Sequence, residues 1–160
     1  MTASAVQSFL KDTLQGVTAP DFEAATVYIA PPQADTLENA SPVIFVWGYR
    51  DHEQRRTFPR RQAFRTTEYE MYLWIKALFQ GGSPREDVAF PLLLDAIKQV
   101  LRDVTLGVQI TDPDTEQVSN LQSVGEDFRT EYPGPRDVSP ENMRLYEATI
   151  SAQIVEDFRG

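Results

Sequence analysis

One stretch, from Thr66 to Val104, constrains the fold more than any other, because it joins a strand-like pattern directly to a helix-like one. Between Thr66 and Phe79, apolar and polar side chains alternate, which is typical of a half-buried β-strand. One face would carry Tyr69, Met71, Leu73 and Ile75, and the other Glu68, Glu70, Tyr72, Trp74 and Lys76. The sequence therefore predicts one long strand with a buried face and a solvent face.

A helix is predicted immediately after this strand, at about residues 84–104. Gly81-Gly82 ends the strand, and Ser83-Pro84-Arg85-Glu86 has the spacing of an N-terminal capping box. An apolar stripe at helical period follows: Val88, Leu92, Leu93, Ala96, Ile97, Val100, Leu101 and Val104. Pro91 would remove one helical hydrogen bond, so we expect a kink there or a restart of the helix near Phe90. The stripe predicts that this helix packs across one face of a sheet.

The remaining patterns complete a single α+β domain over residues 1–160. An amphipathic N-terminal helix is predicted at Ala3–Leu14, because its apolar residues Val6, Phe9, Leu10 and Leu14 share one face. Further strands are predicted at residues 26–29, 42–49, 117–132 and 145–155, with a bulge near Gly125 and a rigid loop at 133–140. Because the connections are short or project outward, we expect a mostly antiparallel sheet of about 4–5 strands with both helices packed on it.

Composition excludes several classes of function. The chain has no cysteine, which rules out disulfides, thiol catalysis and thiolate metal sites. No apolar run approaches the roughly 18 residues of a membrane span, and the first residues lack the layout of a signal peptide. We therefore expect no membrane partner and synthesis in the cytoplasm. The net charge of −9 disfavours specific binding to nucleic acid phosphates.

The charge is distributed unevenly along the chain. Residues 50–65 carry a net charge of +4, whereas the rest of the chain carries −13. The basic residues of this window are Arg50, Arg55, Arg56, Arg60, Arg61 and Arg65. The window shows no helical stripe and no clean alternation before Ala63, and Pro59 would block a central strand. The sequence therefore predicts a long projecting loop at 50–65 between two antiparallel strands.

Two interpretations of this basic segment stay open at the level of sequence. It is either a solvated loop or an arm that docks on an acidic surface, most simply that of another copy of the protein. Phe58 and Phe64 would be apolar anchors surrounded by arginine, a composition common at interfaces, or they would tuck back onto their own domain. The candidate interface residues are Arg50, Arg55, Arg56, Phe58, Arg60, Arg61 and Phe64.

The sequence offers no strong motif for catalysis, cofactor binding or metal binding, and we expect a protein that is not an enzyme. His52, the only histidine, is flanked by Asp51 and Glu53 and is interpreted as a solvated loop residue. The acidic residues from Asp112 to Glu116 resemble the start of a calcium loop, but its later glycine and glutamate positions are not filled. Trp47 and Trp74 are assigned to core and sheet-face packing rather than to a platform for stacking bases.

Taken together, this pattern resembles the tail terminator, or tail completion, proteins of long-tailed bacteriophages. The likeness covers nearly the whole chain and lies in the order of its elements rather than in a signature motif. It includes the helix with Val6, Phe9 and Leu10, the apolar strand Val43–Tyr49, the basic loop Arg50–Arg65 and the strand Thr66–Phe79. It continues with the helix that carries Leu92, Leu93, Ile97 and Leu101, and closes with two strands, the last at Tyr146–Val155.

The resemblance implies a structural virion protein in the tail or neck. Proteins of this family form a ring, usually a hexamer, that ends the tail tube and meets a neck protein on the head side. The expected partners are therefore other copies of the chain, the tail tube protein and the head-side neck protein, while DNA passes through the ring without specific binding. The basic segment on an acidic body would suit head-to-tail contacts around such a ring.

Two alternatives to this interpretation remain. The first is another ring of the same neck, such as a head-closure or connector protein, which the sequence does not separate from a terminator. The second is a small-ligand-binding domain or an unrecognised hydrolase, which would be a stable monomer with a deep pocket.

Overall fold

The computed structural model describes residues 3–32, 37–57, 63–82, 85–104, 108–112, 114, 116, 118–138 and 142–159. These residues form two helices and seven strands in one α+β arrangement. The helices are α1 (Ala3–Leu14) and α2 (Glu86–Arg102). The strands are β1 (Thr26–Tyr28), β2 (Val43–Thr57), β3 (Ala63–Gln80), β4 (Val108–Thr111), β5 (Val118–Glu131), β6 (Arg136–Val138) and β7 (Met143–Arg159).

The strands form one mixed sheet in the order β1-β2-β3-β7-β5-β4, with β6 paired to β7 beside this path. The prediction of a mostly antiparallel sheet of about 4–5 strands is therefore corrected. β1 runs parallel to β2, with Val27 opposite Ile44. Parallel neighbours need a long connection, and residues 29–42 separate these two strands. The sequence patterns did not predict this parallel pairing.

The centre of the sheet is the long antiparallel pair of β3 and β7, which is in register from Phe64 opposite Arg159 to Gln80 opposite Met143. The alternation predicted for β3 is confirmed, because Tyr69, Met71, Leu73 and Ile75 are buried while Glu68 and Trp74 are exposed. On β7, Ile150, Ala152 and Ile154 are buried on the same side. We call this side the helix face of the sheet and the opposite side the outer face.

Both helices cover the helix face. The buried residues of α1 are Ala5, Val6, Leu10 and Leu14. Those of α2 include Phe90, Leu93, Ile97 and Leu101, and all join the same core as the inward residues of β3 and β7. Burying one such side chain contributes about 1.5–3 kcal/mol relative to leaving it exposed. Helix α1 contacts β1 and β2 at one end of the strand order and β4 at the other end. The sheet therefore curves around this helix.

The predicted bounds of α1 are confirmed at Ala3–Leu14, whereas α2 is shorter than predicted. It begins at Glu86 after the N-cap residue Arg85, whose side chain makes no capping hydrogen bond. Ser83 of the predicted capping box lies outside the described residues. Pro91 lies inside one continuous helix, so a restart near Phe90 is excluded. Neither helix is both long and apolar enough to cross a bilayer.

The predicted loop at 50–65 is wrong over most of its length. Residues 50–57 continue β2 and residues 63–65 belong to β3, and the two strands stay paired as far as Thr57 opposite Ala63. Residues 58–62 lie outside the described part of the chain. The predicted loop at 133–140 contains the short strand β6, and β4 was not predicted. The bulge predicted near Gly125 is confirmed by a register shift between Val124 and Phe128.

Candidate interaction surface

The hairpin of β2 and β3 leaves one strand edge uncovered. β1 pairs with β2 only from Val43 to Phe45, and beyond that point β2 has β3 as its one strand partner among the described residues. From Tyr49 to Thr57 the register with β3 is unbroken. We call this stretch of β2 the open edge. Backbone N–H and C=O groups on such an edge are available to a further strand.

The open edge is exposed on both faces. Each residue from Tyr49 to Arg55 is exposed, although Tyr69 and Thr67 on the neighbouring strand are buried. This contrasts with Val43–Val46 at the start of the same strand, where every side chain is buried. From Tyr49 to Arg55, β2 thus lies outside the core, while the hairpin stays joined to the sheet through the pairing of β3 with β7.

A β-bulge separates the buried and exposed halves of β2. The register shifts between Val46, which faces Leu73, and Tyr49, which faces Met71. Gly48 lies in this bulge with a φ of +83°, a conformation that costs side-chain-bearing residues energy. An added Cβ there would lie 3.3 Å from Cδ2 of Tyr72. The bulge therefore depends on glycine for its backbone angle and for its close approach to Tyr72.

The arginines of the open edge are accessible to solvent. The side chains of Arg50 and Arg55 are 76% and 77% exposed. Nε of Arg55 donates to Oε1 of Glu53 at 2.6 Å, and this hydrogen bond lowers the pKa of Glu53 below its usual value. Nε of Arg50 lies 4.0 Å from Oε2 of Glu70. Surface pairs of this kind contribute little to stability, so both guanidinium groups can engage a partner at small cost.

A buried carboxylate lies at the root of the hairpin. Glu156 on β7 is fully buried on the helix face, where its Oε2 accepts a hydrogen bond from the Tyr69 hydroxyl at 3.2 Å. Its Oε1 lies 3.5 Å from the guanidinium of Arg65. Burial, followed by the charge of Glu156, raises the pKa of Tyr69. These contacts tie β3 to β7 where the hairpin begins to leave the core.

Aromatic side chains lie beside the start of the open edge. The rings of Tyr28 and Phe45 stack at 6.0 Å, and Phe45 lies opposite Trp74 on β3. The indole N–H of Trp74 donates to the backbone carbonyl of Trp47 at 3.0 Å. Phe45 is buried, whereas Tyr28, Trp47 and Trp74 remain partly exposed. The exposure of Trp74 on the outer face agrees with the alternation predicted for its strand, whereas the exposure of Trp47 was not predicted.

A second polar cluster lies at the opposite end of the sheet. Glu86, at the start of α2, accepts hydrogen bonds from the Gly82 N–H at 2.8 Å, from the Tyr146 hydroxyl at 3.1 Å and from Arg144. The Gly82 N–H is the largest cause of the lowered pKa of Glu86. Nε of Arg144 also donates to Asp137 at 3.1 Å, beside an open depression of about 700 Å³. These charges are paired with one another and fasten α2 to the sheet.

The structure divides the predicted interface residues into three groups. Arg50 and Arg55 lie on the open edge with exposed side chains. Arg56 and Phe64 are paired strand residues of the hairpin rather than loop residues. Phe58, Arg60 and Arg61 lie outside the described residues.

The other residues considered as candidates for catalysis or metal binding lie at the surface or in turns. His52 is exposed, and its Nε2 lies 3.4 Å from the side-chain amide of Gln54. Asp112 and Asp114 belong to a turn in which Asp112 accepts a hydrogen bond from the Asp114 N–H. Within the part of the chain that the structure describes, no group of three or more acidic or histidine side chains could hold a metal ion.

Sequence reasoning missed the buried carboxylate and the strand character of the hairpin. Glu156 did carry a signal, because it follows Ile150, Ala152 and Ile154 at a spacing of two and so falls on the buried face of β7. No protein-family model matches the chain, and no curated protein matches it.

Proposed function

We propose that this protein is a structural virion protein whose copies form a ring, usually a hexamer, that ends the tail tube of a long-tailed bacteriophage. In this role the ring joins the tube to the neck protein on the head side, and DNA passes through it without specific binding. The contacts would be made in the virion, after synthesis in the host cytoplasm.

The observation that carries this proposal is the exposed edge of the β2–β3 hairpin, which pairs with no further strand among the described residues. A strand with exposed side chains on both faces adds little to its own core, so its sequence is free to serve a contact with another molecule. Arg50 and Arg55 give that strand accessible positive charge. The order of helices and strands, on which the resemblance to tail terminators rests, gives further support.

Charge offers a physical reason for head-to-tail assembly. Residues 50–65 carry +4 and the remaining chain −13, so the hairpin of one copy is attracted to the body of the next. When one surface of a copy binds a different surface of the next copy, each copy is rotated by the same angle relative to the one before it. The assembly closes into a ring when these rotations add up to a full turn. An acidic lining would also keep DNA from adhering to the lumen, since like charges repel.

The location of the protein tests this proposal. An affinity tag on the chain, labelled with gold, should appear in electron micrographs of complete virions at the end of the tail nearest the head. Isolated tails without heads should keep the label. Label on tail-free heads would instead identify a head-closure or connector ring, and absence from the virion would rule out a structural role in it.

Assembly of the hairpin contact is tested with purified protein. The pair Arg50→Glu and Arg55→Glu should reduce ring formation, measured by light scattering and electron microscopy in the presence of tail tubes. The matched control pair is Arg129→Glu and Arg136→Glu, which changes the net charge equally at exposed sites on β5 and β6. Equal ring formation by the two double variants would show that the hairpin is not the contact.

A further inference from the structure

We propose that the outer face of the sheet carries a binding site for an uncharged carbohydrate, an oligosaccharide built of pyranose units. The inference goes beyond the proposed function and does not depend on it, because the site is separate from the open edge of β2. It rests on the shape, the exposed aromatic ring and the balanced charges of a trough that crosses β3, β7 and β5.

This outer trough consists of two adjoining depressions, of about 290 and 220 Å³, that share Glu131 and Thr149. Trp74 lies opposite Thr149 on β7, and Thr149 lies opposite Glu131 on β5, so these three side chains form one row across the outer face. The larger depression is also lined by Pro32, which follows β1, and by Pro133, which follows β5. Because proline is rigid and the floor is a paired sheet, this shape exists before a ligand binds.

Trp74 offers the outer trough an apolar ring rather than a polar group. Its indole N–H, the only polar group of the side chain, donates to the backbone carbonyl of Trp47 at 3.0 Å, which fixes the ring. Trp74 is nevertheless 37% exposed, although β3 lies between two other strands. The C–H groups on one side of a pyranose ring form an apolar patch, and such a patch packs on an exposed aromatic ring.

Hydroxyl groups line the outer trough beside this ring. Tyr72 lies opposite Ser151 on β7, and Ser151 lies opposite Arg129 on β5, so these residues form a second row two positions along the strands. Tyr72, Ser151 and Thr149 all line the smaller depression. Since each of their hydroxyls both donates and accepts hydrogen bonds, they match the hydroxyls of a sugar, which do the same.

The charged side chains that line the outer trough balance one another. Lys76 and Arg129 are basic, and Glu131 and Glu147 are acidic. Oε1 of Glu147 lies 3.3 Å from Nζ of Lys76 and accepts a hydrogen bond from Arg136 at 3.2 Å. A lining without net charge attracts neither phosphates nor cationic groups. It does place donors beside acceptors, and the neighbouring hydroxyls of a sugar can bond to both through charge-assisted hydrogen bonds.

The floor of the outer trough does not favour a polypeptide. β3 pairs with β2 and β7, and β7 pairs with β3 and β5, so the floor presents side chains and no open strand edge. A peptide could not be added there as a further strand. An apolar segment would remove water from four charged side chains without replacing its hydrogen bonds, which costs free energy. A sugar combines an apolar ring face with many hydroxyls and avoids this cost.

The test uses three neutral oligosaccharides as probes: cellohexaose, maltohexaose and chitohexaose. At least one should bind the intact chain with a dissociation constant at or below about 1 mM, measured by isothermal titration calorimetry. The variant Trp47→Ala leaves Trp74 as the only tryptophan, so binding should shift its fluorescence to shorter wavelength in a saturable way. No saturable binding of any probe at concentrations up to about 10 mM would overturn the proposal.

The two tryptophans give a matched pair of variants. Trp74→Ala should weaken binding about tenfold or more, because the stacking ring is lost. Trp47→Ala should keep the affinity within about twofold, since Trp47 lines neither depression and its backbone carbonyl still orients Trp74. Circular dichroism establishes that both variants fold. Equal affinities of the two folded variants would overturn the assignment of the site to the outer trough.

Further probes test the chemistry of the ligand. Thr149→Val keeps the size of a side chain shared by both depressions and removes its hydroxyl, so binding should weaken about three- to tenfold. An anionic probe, hexagalacturonate, should bind more weakly than the neutral probes, and tighter binding would overturn the assignment of an uncharged ligand. Binding of a proline-rich peptide, with no sugar bound, would show that a polypeptide fills the outer trough and would also overturn the proposal.

The outcomes separate this inference from the proposed function. The pair Arg50→Glu and Arg55→Glu should reduce ring formation and leave sugar binding unchanged, since neither residue lines the outer trough. The pair Arg129→Glu and Arg136→Glu should keep ring formation and weaken sugar binding, because it removes one donor of the lining and one cation beside Glu147. Rings without sugar binding would overturn the inference alone, and sugar binding without rings would contradict only the ring. Loss of sugar binding in the first pair but not in the second would overturn the location of the site.

Discussion

The two halves of β2 belong to one strand and yet serve different purposes. Val43–Val46 are buried and packed between β1 and β3, and they form part of the framework. From Tyr49 to Arg55 every residue is exposed, and the strand is held by its pairing with β3. Because burial supplies most of the stabilising free energy, the first half determines folding and the second half is free to determine binding.

The polar clusters at the two ends of the sheet extend this comparison. Glu86 and Glu156 are each bonded to a tyrosine hydroxyl and lie beside an arginine. Glu86 fastens a helix to the sheet, whereas Glu156 fastens the root of a hairpin that leaves the core. The same set of groups, a carboxylate, a tyrosine hydroxyl and an arginine, thus stabilises the attachment of a helix at one end of the sheet and the root of the hairpin at the other.

The largest effect is expected for Ile44→Ala, in the buried half of β2. Ile44 is fully buried, so the truncation should lower the free energy of unfolding by about 2–5 kcal/mol through lost burial and a cavity. The matched control is Gln54→Ala in the exposed half, with an expected change within about 0.5 kcal/mol. Urea denaturation measures both values, and comparable losses would contradict the division of the strand.

A smaller loss, of about 2 kcal/mol, is expected for Glu86→Gln, because the charged hydrogen bonds to Gly82, Arg144 and Tyr146 are weakened. The folded-state pKa of Glu86 is lowered from 4.5, so its contribution to stability is present above that value. It is lost as the pH falls through the lower folded-state pKa. The difference from the wild type should therefore be constant near neutral pH and shrink in acid.

Glu53→Gln provides the matched control for Glu86→Gln. The pKa of Glu53 is also lowered, first by the hydrogen bond from Arg55, but Glu53 lies on the open edge. Because solvent screens the exposed pair of Glu53 and Arg55, we expect a much smaller loss of unfolding free energy than for Glu86→Gln at every pH. A pH-dependent loss as large as that of Glu86→Gln would indicate that the exposed half contributes to the framework.

Gly48→Ala tests the boundary between the two halves. The positive φ of Gly48 should cost alanine about 1–2 kcal/mol, and its Cβ must also displace Tyr72. Gly82→Ala has a similar φ of +81° with no atom within 4 Å of the added Cβ. The difference between the two losses in urea denaturation measures the contact with Tyr72. If Gly48→Ala costs no more than Gly82→Ala, the bulge does not depend on that close approach.

The sequence predicted those elements whose pattern arises from burial on one side. The alternation of β3 and the helical stripes of α1 and α2 reflect a single covered face, so their type and approximate bounds were correct. The parallel pairing of β1 was missed because it depends on the path of residues 29–42, which carry no periodic signal. β4 and β6 contain too few residues for a period to be seen.

The open edge was mistaken for a loop for a physical reason. A strand that is exposed on both faces has no alternation of apolar and polar residues, and Arg50–Arg55 therefore resembles a polar loop in sequence. Its strand structure comes from pairing with β3, which the local sequence does not encode. The basic charge of the segment was visible in the sequence, whereas the edge that presents it was not.

A small effect on stability is likewise expected for Arg50→Glu, on the open edge. Its guanidinium is 76% exposed and lies 4.0 Å from the nearest carboxylate oxygen, so the change in unfolding free energy should stay within about 0.5 kcal/mol. Urea denaturation should also give an unchanged m-value, since the area exposed on unfolding is the same. A loss of unfolding free energy above about 1 kcal/mol would show that Arg50 contributes to the stability of the fold. The distinction between a folding half and an exposed half of β2 would then be wrong.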